Sequence, residues 1–134
     1  MKTDSDAISY ILKVHERYVE KQLYGQRTVY VNIKRDWLQN TKLLFVRRSV
    51  FIGSGIIDRF ISRDELQEQD KKRCLENNCY GKIEFAKLAR YYPPVSIEST
   101  NLASKNPITL HGTSLALSEA LNIEHLARAR LVIL

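Results

Sequence analysis

The chain has 134 residues, 44% apolar and 27% charged, which fits one domain with a single core and excludes wholesale disorder. Its formal net charge of +6 favours anionic partners, nucleic acid first. Cys74 and Cys79, its two cysteines, are too few for a disulfide framework or a four-ligand zinc site, so free thiols and no metal or cofactor are expected.

From the N-terminus, Ile8 to Val14 is apolar-rich and alternates Ile8, Tyr10, Leu12 and Val14 on one face, which predicts a first strand. His15 to Tyr24 pairs Tyr18 with Gln22 and Val19 with Leu23 at a spacing of four, which predicts a short helix with one greasy side. Gly25 is expected to stop it by taking the left-handed conformation a helix end often needs. Thr28-Val29-Tyr30-Val31 is β-branched and aromatic, hence a second strand. Lys34 to Thr41 holds the single tryptophan, Trp37, among polar residues and reads as a loop or one helical turn.

Lys42 to Arg48 is a third strand and Val50 to Phe60 a fourth. Gly53 and Gly55 inside the fourth mark a bulge or sharp bend. Ser62-Arg63-Asp64-Glu65 has the capping-box pattern, which predicts a surface helix from about Arg63 to Asn78 with Gly81 behind it. Lys82 to Tyr92 is a further strand, stopped by Pro93-Pro94. Val95 to Leu110 reads as an irregular loop with a short strand near Ile108. A helix is expected near Ser118 to Ala127, and Leu131-Val132-Ile133-Leu134 as a last, buried strand. No apolar run approaches the ~20 residues of a membrane span, and the polar start of the chain has no signal-peptide core. A cytoplasmic location follows as an expectation. Several strands, two or three helices and a bend-making glycine pair predict a small α+β domain around a mixed barrel.

Three features point to a ligand. Lys13, Arg17 and Lys21 recur every fourth residue, and Arg27 opens the following strand. Ammonium groups and a guanidinium fork both suit phosphate. The competing reading is a solvated face paired with Glu16 and Glu20. Trp37, Tyr30 and Tyr24 are candidate platforms for an exposed base, against ordinary packing. The near-neutral helix from Arg63 is expected to face away from an anion. Arg47 and Arg48, adjacent on a strand, are expected on opposite faces. His15, His111 and His125 lack a neighbouring Ser, Cys or Asp at a telling spacing, and no Walker loop or dinucleotide fingerprint is present.

The order of strand, short helix, the turn Tyr24-Gly25-Gln26-Arg27-Thr28, strand Val29 to Asn32, strand Lys42 to Arg48 and the glycine-marked strand Phe51-Ile52-Gly53-Ser54-Gly55-Ile56-Ile57 resembles the PUA-like superfamily, in particular its ASCH branch. That branch carries Gly-x-Lys-Thr-x-x-x-Arg after a helix, then a strand with Val-Gly-x-Ala-x-Ile. The layout is also similar to DUF365, a small archaeal family of uncharacterised proteins. The resemblance implies a mixed β-barrel of about five to six strands with two to three helices, and a cleft between the first helix and the barrel. RNA or a modified nucleotide would be the partner, with Gly25, Arg27, Thr28 and Asn32 lining the cleft. Lys13, Arg17 and Lys21 would then grip phosphates, and Tyr30 or Trp37 hold a base, without catalysis.

This chain has Arg27 where the motif has lysine and Asn32 where it has arginine. Some ASCH proteins resemble amidohydrolases of acylated pyrimidine nucleosides, with a lysine at the Arg27 position and a threonine at the Tyr30 position. Arginine does not give up its proton. The alternative hydrolase would therefore use Thr28 with Arg27 and a carboxylate such as Glu84 or Glu98. A third reading is a protein-interaction module in an RNA-associated assembly.

Overall fold

The computed structural model of the chain describes residues 8–97, 114–127 and 131–133. Its strands are β1 (Ile8–Lys13), β2 (Thr28–Val31), β3 (Lys42–Arg47), β4 (Val50–Ser62), β5 (Gly81–Ser96), β6 (Ser114–Ala116) and β7 (Leu131–Ile133), with helices α1 (Glu68–Glu76) and α2 (Leu117–Leu126). The strands form one sheet in the order β2-β5-β4-β3-β1-β6, and β7 also pairs with β5. β1 and β3 run parallel, and the remaining pairs are antiparallel. The result is α+β, a curled half-barrel of mixed strands.

The curl comes from the two long central strands. Their register slips between Phe51 and Gly53, Ile56 and Ile57, and Ile57 and Arg59. Each extra residue bends the strand and deepens its twist. Gly53 sits at the first slip, where a β-carbon would collide with the Ala89 carbonyl oxygen and the Tyr24 hydroxyl. Pro93 and Pro94 do not stop β5, contrary to expectation. The β4 partner of Arg90 is Gly53 and that of Val95 is Phe51, so both prolines fall where the ladder to β4 is interrupted. No strand hydrogen bond to β4 is asked of their missing N–H groups.

Both faces of the sheet are covered, and β3 records this in its alternation. Leu43 and Phe45 join one cluster with Leu12, Val14, Val19, Leu23 and Trp37. Leu44 and Val46 join another with Ile11, Phe51 and Tyr91, closed by Ala120 and Ile123 of α2 and by Ala127 just after it. An ion pair between Lys42 and Glu124 ties β3 to α2.

The segment predicted to be one helix from Arg63 is two. A 3-10 turn, Arg63–Glu65, follows Ser62, whose hydroxyl donates to the Glu65 carboxylate (2.7 Å). Leu66 and Gln67 are then extended before α1 begins. The break lets Leu66 turn inward against Cys74 and Cys79, with Tyr30 and Ile61 packed alongside. Those two cysteines form a disulfide, Cα–Cα 5.0 Å, which corrects the expectation of free thiols. They flank a turn whose Cys79 N–H donates to the Cys74 carbonyl (2.9 Å), and that turn brings two positions five apart face to face.

The first helical segment also differs from expectation. A 3-10 turn, Glu16–Tyr18, leads into a π-helix, Val19–Gln26. Gly25 lies inside the π-helix, where its missing β-carbon makes room for the Glu20 carbonyl. The left-handed residue is Arg27 (φ 61°), whose N–H donates to the Gln22 carbonyl. The final aliphatic residues form β7, paired with Ala89–Tyr91. The strand expected near Ile108, together with Glu98 and His111, lies outside the described residues. Among the described residues no helix is long and apolar enough to cross a membrane.

Candidate functional site

A cleft opens between the π-helix and α1. β2 forms its floor, and as an end strand of the sheet it is paired, among the described residues, on one side only, to β5. The inner compartment, about 190 Å³, is lined by Lys13, His15, Tyr18, Tyr30 and Asn32. An outer one of about 560 Å³ is lined by Arg17, Lys21, Gln26 and Glu76. Tyr18, Gln22, Arg73 and Asn77 line both, so the two are continuous. The wide turn of a π-helix brings residues four and five apart into line, and such helices recur at functional sites. Here it turns Val19 and Leu23 into the core while Lys21, Gln22 and Gln26 border the cleft.

Lys13, Arg17 and Lys21 converge on this cleft although they do not share one helix. Lys13 ends β1, Arg17 sits in the 3-10 turn and Lys21 in the π-helix. The two carboxylates beside them in sequence are engaged elsewhere, which leaves Glu76 as the acidic residue in the cleft lining. Glu16 reaches Arg47 (3.7 Å) and Arg48 (3.6 Å). Glu20 pairs with Arg90, one contact at 2.9 Å, and this guanidinium holds its carboxyl below the usual range. Among the described residues neither Arg17 nor Lys21 has an ion-pair partner. Arg47 and Arg48, expected on opposite faces, grip the same carboxylate because Arg48 has left the strand for a left-handed turn position (φ 58°).

Tyr30 and Asn32 join the cleft through β2. The Tyr30 hydroxyl donates to Asp70 (2.9 Å), whose second oxygen accepts from Lys82 (3.1 Å). Partial burial and the adjacent carboxylate push the Tyr30 phenol up to about 12. The same hydrogen bond, with Lys82 beside it, holds Asp70 below its ordinary value. This network fastens α1 to β2 and β5, and so fixes the far wall of the cleft.

Five predicted residues lie elsewhere. Gly25 is in the exposed last turn of the π-helix. The Arg27 guanidinium donates to the Ala86 carbonyl (3.1 Å) over β5. Thr28 is 7% exposed, its hydroxyl without a partner among the described residues. It faces Glu84 across the β2–β5 ladder, and Glu84 is paired with Arg59. Trp37 is 5% exposed, which corrects its reading as an open stacking platform. Its ring meets Tyr10 edge-on (5.8 Å) and its indole N–H donates to the Ile33 carbonyl (3.3 Å). Arg35 covers Tyr10 (4.0 Å), so the polar neighbours seen in the sequence shield a core aromatic. Tyr24 likewise spends its hydroxyl on the Ile52 carbonyl (3.2 Å), under Arg90.

Sequence reasoning missed Gln22, Arg73 and Asn77. Gln22 showed in the sequence only as a polar residue sharing a helix face with Tyr18, which marks no site until its burial is known. Arg73 and Asn77, four apart on α1, gave no signal, because that helix's overall charge balance placed it away from an anion. Among the described residues no cluster of three His, Cys, Asp or Glu could hold a metal ion.

No family model matches the chain, and no curated protein matches it. Its fold is similar to two solved structures of ZmASCH from Zymomonas mobilis, each a mutant protein with one substitution. One, with tyrosine replaced by phenylalanine, superposes with a TM-score of 0.59 at 12% identity, covering 87% of this chain and 96% of that one. The other, with serine replaced by alanine, gives 0.60 at 10% identity, covering 93% and 99%. At such identity the likeness speaks for architecture alone: the chain has an ASCH-like fold.

Proposed function

We propose that the chain is a binding module for RNA or a modified nucleotide, working through the cleft between the π-helix and α1 without catalysis. The observation that carries this reading is the gathering of Lys13, Arg17, Lys21 and Arg73 around one continuous cleft, while Glu16 and Glu20 turn away to other arginines. Like charges held together on a solvent-reachable rim repel one another, and a bound polyanion relieves that repulsion. The outer compartment suits the phosphates and the inner one a single base. Binding is preferred over hydrolysis of an acylated nucleoside because Arg27 and Glu84 are held by Ala86 and Arg59, and Thr28 is buried outside the lining of the cleft. A protein-interaction role draws less support. Among the described residues the large exposed apolar side chains are spread over the Trp37 loop (Leu38), α1 and the turn after it (Leu75, Tyr80) and α2 (Leu121, Leu126).

The test is a gel-shift titration of a pooled RNA with wild type and the triple variant Lys13→Glu, Arg17→Glu, Lys21→Glu. All three side chains are exposed, so the variant should fold. Its binding should be abolished. Affinity equal to wild type would contradict the proposal.

A further inference from the structure

The cationic rim does not account for Gln22. This residue is 8% exposed, and its Nε2 has no hydrogen-bond partner among the described residues. An amide donor buried without a partner costs stability, and folded proteins rarely carry one. The neighbouring inward positions, Val19 and Leu23, are aliphatic, so an aliphatic side chain at position 22 would suit the fold better. Gln22 borders both compartments of the cleft, so its orphaned donor belongs to a side chain in the cleft wall.

A second polar group belongs to the wall of the same compartment. The Phe85 N–H donates to the Arg27 carbonyl (3.1 Å) and the Tyr80 N–H to the Val31 carbonyl (2.8 Å). Residues 27, 29 and 31 therefore turn their peptide groups toward β5. Alternation then directs those of Thr28 and Tyr30 to the open edge of β2, and Tyr30 lines the inner compartment. That compartment, about 190 Å³, is smaller than the roughly 300–1,000 Å³ that drug-sized ligands occupy. One ring system suits it better than a whole nucleotide.

We infer that Gln22 sets base specificity. Its carboxamide N–H donates to a keto oxygen of a base in the inner compartment, and the main-chain carbonyl of Tyr30 accepts from the base's adjacent ring N–H. Uracil- and guanine-type bases carry that keto and N–H pair. Cytosine and adenine present an amino group next to a ring acceptor, which sets donor against donor at Gln22. This rests on the reading that the cleft binds RNA, which it deepens by naming the class of base.

The test compares wild type with Gln22→Met, a residue of similar length with no donor. Fluorescence anisotropy with short uridine and cytidine homo-oligonucleotides gives the preference, and thermal melting of the free protein gives stability. Wild type should bind the uridine oligomer about tenfold more tightly than the cytidine oligomer. Gln22→Met should bind the two alike, at the weaker level. Its Tm without ligand should rise by several degrees, because the orphaned donor is gone. A preference that survives in Gln22→Met, RNA binding by wild type that is blind to the base, or a lowered Tm in the variant would overturn the role of Gln22 and leave the cleft reading standing. Absence of any RNA binding by wild type would overturn both.

Discussion

Arg73→Ala separates a cleft that neutralises phosphates from a protein that is merely basic. Each phosphate neutralised on a single strand contributes about −0.7 to the slope of log affinity against log salt. Lys13, Arg17, Lys21 and Arg73 line the cleft. With all four engaged the slope is roughly −2.8, and affinity falls roughly 50-fold between about 50 and 200 mM salt. Removing Arg73 should bring the slope to roughly −2.1 and the loss to about 18-fold. The matched control is Lys72→Ala. Lys72 is adjacent in sequence, yet with Leu75 it lines a hollow that Arg73 and Asn77 do not border. It should keep the wild-type slope. Fluorescence anisotropy of a labelled single-stranded RNA across a salt series measures all three. Equal slopes for wild type and Arg73→Ala, or a drop confined to Lys72→Ala, would refute the assignment of α1 as the second wall.

Other consequences follow from the same structure. Trp37 is the only tryptophan, so its fluorescence reports the core: emission should be blue-shifted, resist iodide quenching and stay unchanged when RNA is added, and quenching by RNA would mean that the ring is an open platform after all. Tyr30→Phe should cost about 1.5 kcal/mol at neutral pH through loss of a hydrogen bond to a carboxylate. The Tyr30 phenol titrates higher in the folded state, about 12, than in the unfolded chain at about 10. Its contribution is therefore complete below pH ~10 and lost as pH rises toward ~12, so melting curves of wild type and variant should converge over that window. Parallel curves would exclude the Tyr30–Asp70 bond. Changing Cys74 and Cys79 together to serine should lower unfolding free energy in denaturant by roughly 2 kcal/mol, the loop-closure value for so short a loop. Native wild type should show no titratable thiol.

The strands were legible because their signal is local. Alternation and β-branching marked Ile8 to Val14, Thr28 to Val31 and Lys42 to Arg48, and Gly53 betrayed the bulge that helps to curl the sheet. What escaped depends on partners distant in sequence. Pro93 and Pro94 end a strand only if their N–H groups are needed, and a slip against Phe51 and Gly53 removes that need. Trp37 stands among charged neighbours in sequence, yet it packs on Tyr10 of β1 and is screened by Arg35. The π-helix has no composition of its own, so a spacing of four read as an ordinary helix. At the site, Lys13, Arg17 and Lys21 could be grouped from spacing alone. Arg73 and Gln22 could not, because the charge balance of α1 says nothing about which of its faces meets the cleft, and one glutamine becomes telling only once its burial is known.

The most direct measurement is a two-dimensional amide NMR titration of the isotope-labelled protein with a short RNA. Shift changes should concentrate on Lys13 to Gln26, Tyr30 to Asn32 and Arg73 to Asn77, and saturate together. Changes gathered instead around Arg35, Asp58 and Arg59, or none at concentrations well above those of a gel shift, would contradict a ligand site between the π-helix and α1.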